Sequence, residues 1–100
     1  MNDRNILTLT VPVNLEEVLV DWLLENAPDQ GFCSFPVNGH SASHAGLSQR
    51  EQVSGRKRQI RFDIQLDSES SNALLERFRA QFAGIGIEYY LSPLMNAGEI

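Results

Sequence analysis

Residues 59–66, Gln-Ile-Arg-Phe-Asp-Ile-Gln-Leu, alternate strictly between polar and apolar side chains. A period of two is typical of a β-strand with one face on a hydrophobic core and the other on a polar surface or an interface. This strand lies near the middle of the chain, and the segments on either side of it predict the rest of the fold.

A strand and a helix are predicted before the central loop. The alternating segment from Ile6 to Val11 predicts a strand that Pro12 closes. A helix from about Leu15 to Asn26 follows, with Asn14 as its N-cap and Glu17 at the capping-box position. The apolar stripe of this helix consists of Leu15, Val18, Leu19, Trp22 and Leu23.

The same signals continue to the last strand. The segment from Phe32 to Val37 predicts a strand that Pro36 places at a sheet edge or a bulge. A second helix, capped by Ser70 or Ser71, carries Leu74, Leu75, Phe78 and Phe82 and ends at Gly84 and Gly86. A final strand from Ile87 to Leu91 precedes a tail that begins at Pro93.

The element order is therefore β-α-β-β-α-β, in which each half is a split βαβ unit. This order predicts an α+β fold, the ferredoxin-like sandwich, with a four-stranded antiparallel sheet and both helices on one face. One hundred residues suffice for a single domain, so residues 1–100 are predicted to fold as one unit.

The segment from Asn38 to Ser54 differs in kind from the rest. It contains two glycines, four serines and both histidines, and few apolar residues. Loops of this length in compact domains are usually functional or disordered. We expect a flexible loop that carries the function, with Gly39, His40, His44, Arg50 and Glu51 as candidate residues.

Charge and composition exclude several classes of protein. The net charge of −5 argues against a nucleic-acid partner. No apolar run reaches the roughly 18–20 residues of a membrane helix, and the polar start is unlike a signal peptide, so we expect no membrane insertion. Cys33 is the only cysteine. A single thiol fits a reducing compartment, so the expected location is the cytoplasm and the thiol is expected to be buried.

Several motifs give the chain a family resemblance. They are Pro12-x-x-Leu15-Glu16-Glu17, Asp21-x-Leu23-Leu24, Gly39-His40 with His44, Leu47-Ser48, Glu51-Gln52-Val53-x-Gly55-Arg56, and Ser92-Pro93. With them, the chain resembles the PII signal-transduction proteins, and more closely a small branch of PII-like bacterial proteins of unknown function. The resemblance covers nearly the whole chain.

That resemblance implies a homotrimer with its sheets turned inward and its loops outward. It also implies a regulatory protein that binds a small effector or ion and contacts a partner protein, with a transporter as one candidate. PII proteins bind ATP partly through a lysine- and glycine-rich connection before the last strand and through basic residues near the C-terminus. Here residues 83–86 contain no lysine and residues 92–100 no basic residue, so we expect ATP to bind weakly or not at all.

The histidines and the cations each leave two interpretations open. His40 and His44 could bind a transition metal, with Cys33, Glu51 or a neighbouring subunit completing the shell, or they could be solvated loop residues. The branch that the chain resembles is often encoded beside heavy-metal efflux systems, which favours the metal.

Five of the eight cations lie between residues 50 and 61, and among them Arg50, Arg56 and Arg58 are candidates for contacting an anionic ligand or an acidic partner. Alternatively, these cations belong to a solvated strand start.

Catalysis is not predicted. A nucleophile, a base and an orienting group must be brought together, and no motif for such a set is present. Two hypotheses follow: a non-catalytic PII-like regulator whose loop contacts a partner, or a metal-binding or metal-tolerance protein with the architecture of the trimeric CutA proteins.

Overall fold

The computed structural model describes residues 3–40 and 56–100. The strands are β1 (Arg4–Pro12), β2 (Phe32–His40), β3 (Arg56–Asp67) and β4 (Glu88–Pro93), and the α-helices are α1 (Glu16–Asn26) and α2 (Ser68–Phe82). A short 3-10 helix, Val13–Leu15, joins β1 to α1. The predicted β-α-β-β-α-β order is confirmed.

The four strands form one antiparallel sheet in the order β2-β3-β1-β4. In each half of the chain, the two strands of the βαβ unit are therefore separated by a strand from the other half. Alternate side chains of β1 and β3 pack with both helices in a single buried cluster. This is an α+β, ferredoxin-like arrangement, as the element order predicts.

The alternation of residues 59–66 places its apolar members in the core. Ile60, Phe62, Ile64 and Leu66 are all buried. Trp22 of α1 makes edge-to-face contacts with Phe78 and Phe82 of α2, at centroid distances of 5.5 and 5.7 Å. These aromatic contacts join the two helices to each other over the sheet.

The predicted start of the first helix is wrong. Asn14 lies inside the 3-10 helix, and the residue preceding α1 is Leu15, which makes no capping side-chain hydrogen bond. Instead, the backbone N–H of Glu16 bonds to the carbonyl of Val13. The helix that results buries Leu19 and Leu23 but leaves Val18 half exposed, so Val18 does not belong to the core stripe.

The second helix also begins differently from the prediction. Its N-cap is Asp67, whose carboxylate accepts a 2.7 Å hydrogen bond from the backbone N–H of Ser70. Ser71 is buried: its hydroxyl accepts from Asn5 Nδ2 at 2.9 Å and donates to the carbonyl of Ser68 at 3.1 Å. Ser71 thus joins α2 to β1. The helix ends as predicted, with Gly84 and Gly86 both at positive φ.

The cap predicts a dependence of stability on pH. The hydrogen bond from the Ser70 backbone lowers the pKa of Asp67 below its ordinary value of 3.8. A carboxylate with a lowered folded-state pKa contributes stability that is present above that ordinary value and lost as the pH falls below it. We therefore expect Asp67→Asn, which keeps an acceptor oxygen but no charge, to flatten the fall in Tm between pH 5 and pH 2. A fall as steep as that of the wild type would show that this carboxylate contributes nothing measurable.

Two strand boundaries extend past their predictions. Asn38, Gly39 and His40 belong to β2 and not to a loop, because the backbone of β3 pairs with them regardless of their polar side chains. The rest of the predicted loop, residues 41–54, lies outside the described residues. Pro93 is the last residue of β4, opposite Asn5, and the tail begins one residue later.

Candidate functional site

The candidate site begins where β2 and β3 continue beyond the sheet. Pro12, the last residue of β1, pairs with Gln59. Within the described part of the chain, residues 38–40 and 56–58 pair only with each other, and we call these six residues the ribbon. A two-stranded ribbon has little stability of its own, so its ends depend on what they contact.

The register of the ribbon brings together four residues singled out from the sequence. His40 lies opposite Arg56, Gly39 opposite Lys57, and Asn38 opposite Arg58. Directly opposed residues in an antiparallel pair have neighbouring side chains on one face. His40, Gly39, Arg56 and Arg58 therefore share one small structure, while the candidates His44, Arg50 and Glu51 lie outside the described residues.

The charge of the ribbon is uniformly positive. Arg56, Lys57 and Arg58 are consecutive, and none of the six ribbon residues is acidic. Along an extended strand successive side chains point to opposite faces, so both faces of the ribbon carry a cation. This positive end stands on a chain whose net charge is −5.

Gly39 lies in close contact with a side chain of the neighbouring strand. A Cβ atom at this position would lie 2.6 Å from Oε1 of Gln59, whose side chain is buried against the ribbon. That oxygen is the end of a flexible side chain, so a larger residue at position 39 would require Gln59 to change its conformation.

The described residues contain no cluster suited to a metal ion. Across residues 3–40 and 56–100, no group of three or more His, Cys, Asp or Glu side chains could hold one. A cation bound at His40 would also face Arg56 directly across the ribbon. Like charges at that spacing repel, so the surroundings of His40 suit an anion better than a cation.

The face of the sheet opposite the helices, which we call the open face, is the second candidate surface. Two hydrogen bonds join β1 to β3 on this face: Thr8 Oγ1 donates to Asp63 Oδ1 at 3.0 Å, and Arg61 Nε donates to Thr10 Oγ1 at 3.4 Å. On this face, Asp63 and Arg61 are therefore each held by one hydrogen bond to a threonine of β1.

Exposed aromatic side chains flank those polar pairs. The register places Phe35 of β2 opposite Arg61, and Tyr90 of β4 opposite Thr8. Both aromatic residues are exposed large hydrophobics. The open face thus has a polar, paired centre between two aromatic margins. The sequence did not reveal these margins, because only the strand pairing brings β2 and β4 to opposite edges of the same face.

Cys33 also lies on the open face, and the prediction that it is buried is wrong. It is exposed, on an edge strand opposite Asp63. It lines a groove of about 790 Å³ at the end of the sheet where β2 begins and β3 ends. Arg4 and Gln65 line the same groove and are hydrogen bonded to each other at 3.3 Å.

The fold and these surfaces define the chain as a small ferredoxin-like α+β protein. More particularly, the chain belongs to the DUF3240 family, described as a protein of unknown function, which matches residues 1–100. No curated protein matches the chain. No helix among the described residues is long and apolar enough to cross a membrane.

Solved structures share this fold at low sequence identity. A DUF3240 family protein from Shewanella baltica OS155 is similar with a TM-score of 0.75 and 19% identity, over 100% of this chain and 99% of that one. A Bacillus cereus protein related to NIF3 is similar with a TM-score of 0.62 and 16% identity. The similarity covers 98% of this chain but 27% of that protein, so the fold also occurs within a longer chain.

Proposed function

We propose that the chain is a non-catalytic regulatory protein of the PII-like type, which assembles as a homotrimer and contacts an acidic partner protein through the ribbon. The observation that carries this proposal is the register of β2 and β3. It places three consecutive cations and His40 on a two-stranded projection beyond the sheet.

An acidic partner fits this projection for electrostatic reasons. Arginine binds carboxylates through paired, charge-assisted hydrogen bonds. A positive end on an otherwise acidic chain also orients the protein during diffusional encounter, which raises the association rate at low salt. The ribbon leads directly into residues 41–55, the segment of the sequence that contains His44, Arg50 and Glu51.

The open face supports the assembly. Asp63 and Arg61 are each held in place by one hydrogen bond to a threonine of β1, so a neighbouring copy that covers them must also supply partners for their charges. Its margins offer Phe35 and Tyr90 as exposed hydrophobic contacts. If the open faces meet at the centre of the trimer, the ribbons stay exposed and can contact partner proteins.

The competing proposal is a metal-binding or metal-tolerance protein of CutA-like architecture, in which His40 and His44 bind a transition metal. Arg56 opposite His40 argues against it, since a metal ion there would meet a fixed positive charge. ATP is expected to bind weakly, because residues 83–86 contain no lysine and residues 92–100 no basic residue.

The test measures how tightly an acidic peptide, a transition metal and ATP bind to the wild type and to variants with altered charge. Arg56→Gln/Lys57→Gln should weaken binding of a fluorescent ten-residue glutamate peptide at least tenfold at low salt, about 1.4 kcal/mol, as measured by anisotropy. The difference between variant and wild type should shrink as salt rises, because the Debye length falls.

A matched control separates the ribbon from overall charge. Asn72→Glu/Gln81→Glu makes the chain more acidic by the same two charges, on exposed positions of α2, and should weaken binding much less. Equal losses for the two pairs would refute the ribbon as the contact. Tighter binding of Zn²⁺ or Cu²⁺ than of the peptide, abolished by His40→Ala, would support the metal protein instead, and low-micromolar ATP binding would contradict the nucleotide expectation.

A further inference from the structure

The outer side of α1 carries acidic and hydrophobic side chains, and the helix contains no basic residue. Glu17, Asp21 and Glu25 follow one another at intervals of four residues, which places them on one side of the helix, and all three are exposed. Val18 and Leu24 lie beside them and are 50% and 58% exposed. We call these five residues the acidic face. Large hydrophobic side chains exposed among charges of one sign indicate a contact surface for a protein of the opposite charge.

The acidic face is electrostatically unfavourable in the single chain. Like charges four residues apart on a helix repel each other, and Glu25, in the last turn, opposes the helix dipole. Within the described residues, no hydrogen bond or ion pair joins Glu17, Asp21 or Glu25 to another residue. A cationic surface on this face would relieve the repulsion. The aliphatic stems of its lysine or arginine side chains would also cover Val18 and Leu24.

The ribbon of the same chain has the complementary charge. Arg56 is exposed and Lys57 is partly exposed. Because β1 ends at Pro12, opposite Gln59, no described strand pairs with the edge of residues 56–58 that faces away from β2. Successive side chains of a strand point to opposite faces, so a helix laid along this edge would have Arg56 on one side and Lys57 on the other.

The ribbon cannot reach the acidic face of its own chain. The last residue of α1, Asn26, lines a cavity together with Leu66, near the end of β3. Arg56 is the first residue of β3, ten residues before Leu66, which corresponds to about 33 Å along the strand. Even Glu17, at the start of α1, is only about 14 Å closer to the ribbon than Asn26 is. A contact between the two surfaces therefore joins different copies.

We propose that the ribbon of one copy docks against the acidic face of a second copy, with Arg56 and Lys57 near Asp21 and Glu25. This inference rests on the proposal that the ribbon contacts an acidic protein surface, and it names that surface. The acidic face lies on the helix side of the sheet, so the contact leaves the open face available for the trimer and links one trimer to another. Exposed ion pairs are individually weak and are screened by salt, so the contact forms mainly at low salt.

An exchange of charges between two variants tests the contact. The ribbon variant is Arg56→Glu/Lys57→Glu, and the helix variant is Asp21→Lys/Glu25→Lys. At low salt, each variant should associate with itself at least tenfold more weakly than the wild type does, because like charges then face each other across the contact. Mixing the two variants should restore the association, since a negative ribbon then meets a positive helix. Anisotropy of the ribbon variant, labelled with a dye at its amino terminus, measures the mixed association.

A matched control separates the acidic face from net charge. Glu69→Lys/Glu76→Lys makes the same change of charge at exposed positions of α2. The ribbon variant should bind this control at least tenfold more weakly than it binds the helix variant, and equal binding would overturn the contact. Circular dichroism checks that each variant is folded. The milder pair Asp21→Gln/Glu25→Gln should still weaken the self-association of the wild-type ribbon, and an unchanged association would also overturn the contact.

Binding of the glutamate peptide to the wild type keeps the two proposals distinguishable. If the peptide binds but mixing the variants gives no gain over the control, the contact with α1 is overturned and the ribbon retains a different acidic partner. If the peptide does not bind and mixing gives no gain, both proposals are overturned. A gain that is specific to the helix variant and disappears at high salt supports the docking as described.

Discussion

Phe62→Ala should lower the free energy of unfolding by about 3–5 kcal/mol. Phe62 has 0% of its surface exposed, lies in the middle of β3 and packs against the Phe32 ring at a centroid distance of 6.2 Å. Its loss leaves a cavity between the sheet and the helices that neighbouring side chains fill only in part. Domains of this size are stable by roughly 5–15 kcal/mol, so the substitution removes a large part of the total stability.

Urea denaturation followed by circular dichroism measures this effect. Leu24→Ala is the control, since Leu24 is an exposed hydrophobic residue of α1 and its truncation should cost less than about 0.5 kcal/mol. Both variants should be compared with the wild type at two protein concentrations, because self-association adds to apparent stability. A cost below 1 kcal/mol for Phe62→Ala would contradict the packing described here.

The fold could be predicted from the sequence because its strongest signals are local. The alternation of residues 59–66 depends only on which side chains face the core, and the helix-ending glycines Gly84 and Gly86 depend only on the backbone conformation that they allow. The helix starts were mispredicted because several polar residues compete there. Asp67 caps α2 in preference to Ser70 and Ser71, and Ser71 is instead buried against Asn5.

The candidate surfaces could not be predicted in the same way, because they depend on pairing between distant segments. Nothing in Asn38-Gly39-His40 favours a strand, yet the backbone of residues 56–58 extends β2 through all three. The register places Phe32 opposite the buried Ile64, on the helix side of the sheet. Because side chains alternate along a strand, Cys33 and Phe35 then lie on the open face. Side-chain identity alone does not specify which face an edge strand presents.

Tyr90→Glu should abolish the proposed assembly while leaving the protomer folded. Tyr90 is 58% exposed in the single chain, so the substitution costs the protomer little. If the open face is covered in a trimer, the new carboxylate becomes buried beside the Thr8–Asp63 pair without a cation of its own. An unpaired buried charge costs several kcal/mol, which corresponds to a loss of affinity of at least a hundredfold.

Light scattering at matched concentrations decides the matter: the wild type should have three times the 11.2 kDa chain mass, and Tyr90→Glu should have the chain mass itself. Val18→Glu is the matched control, because it introduces the same side chain at a position that is 50% exposed, on α1 and away from the open face. It should remain a trimer. Dissociation by both variants would indicate a general effect of charge, whereas a wild type that is already monomeric would refute assembly through the open face. If only Tyr90→Glu dissociates, the aromatic margin of the sheet is part of the subunit interface. The ribbon then remains the exposed positive surface available to a partner.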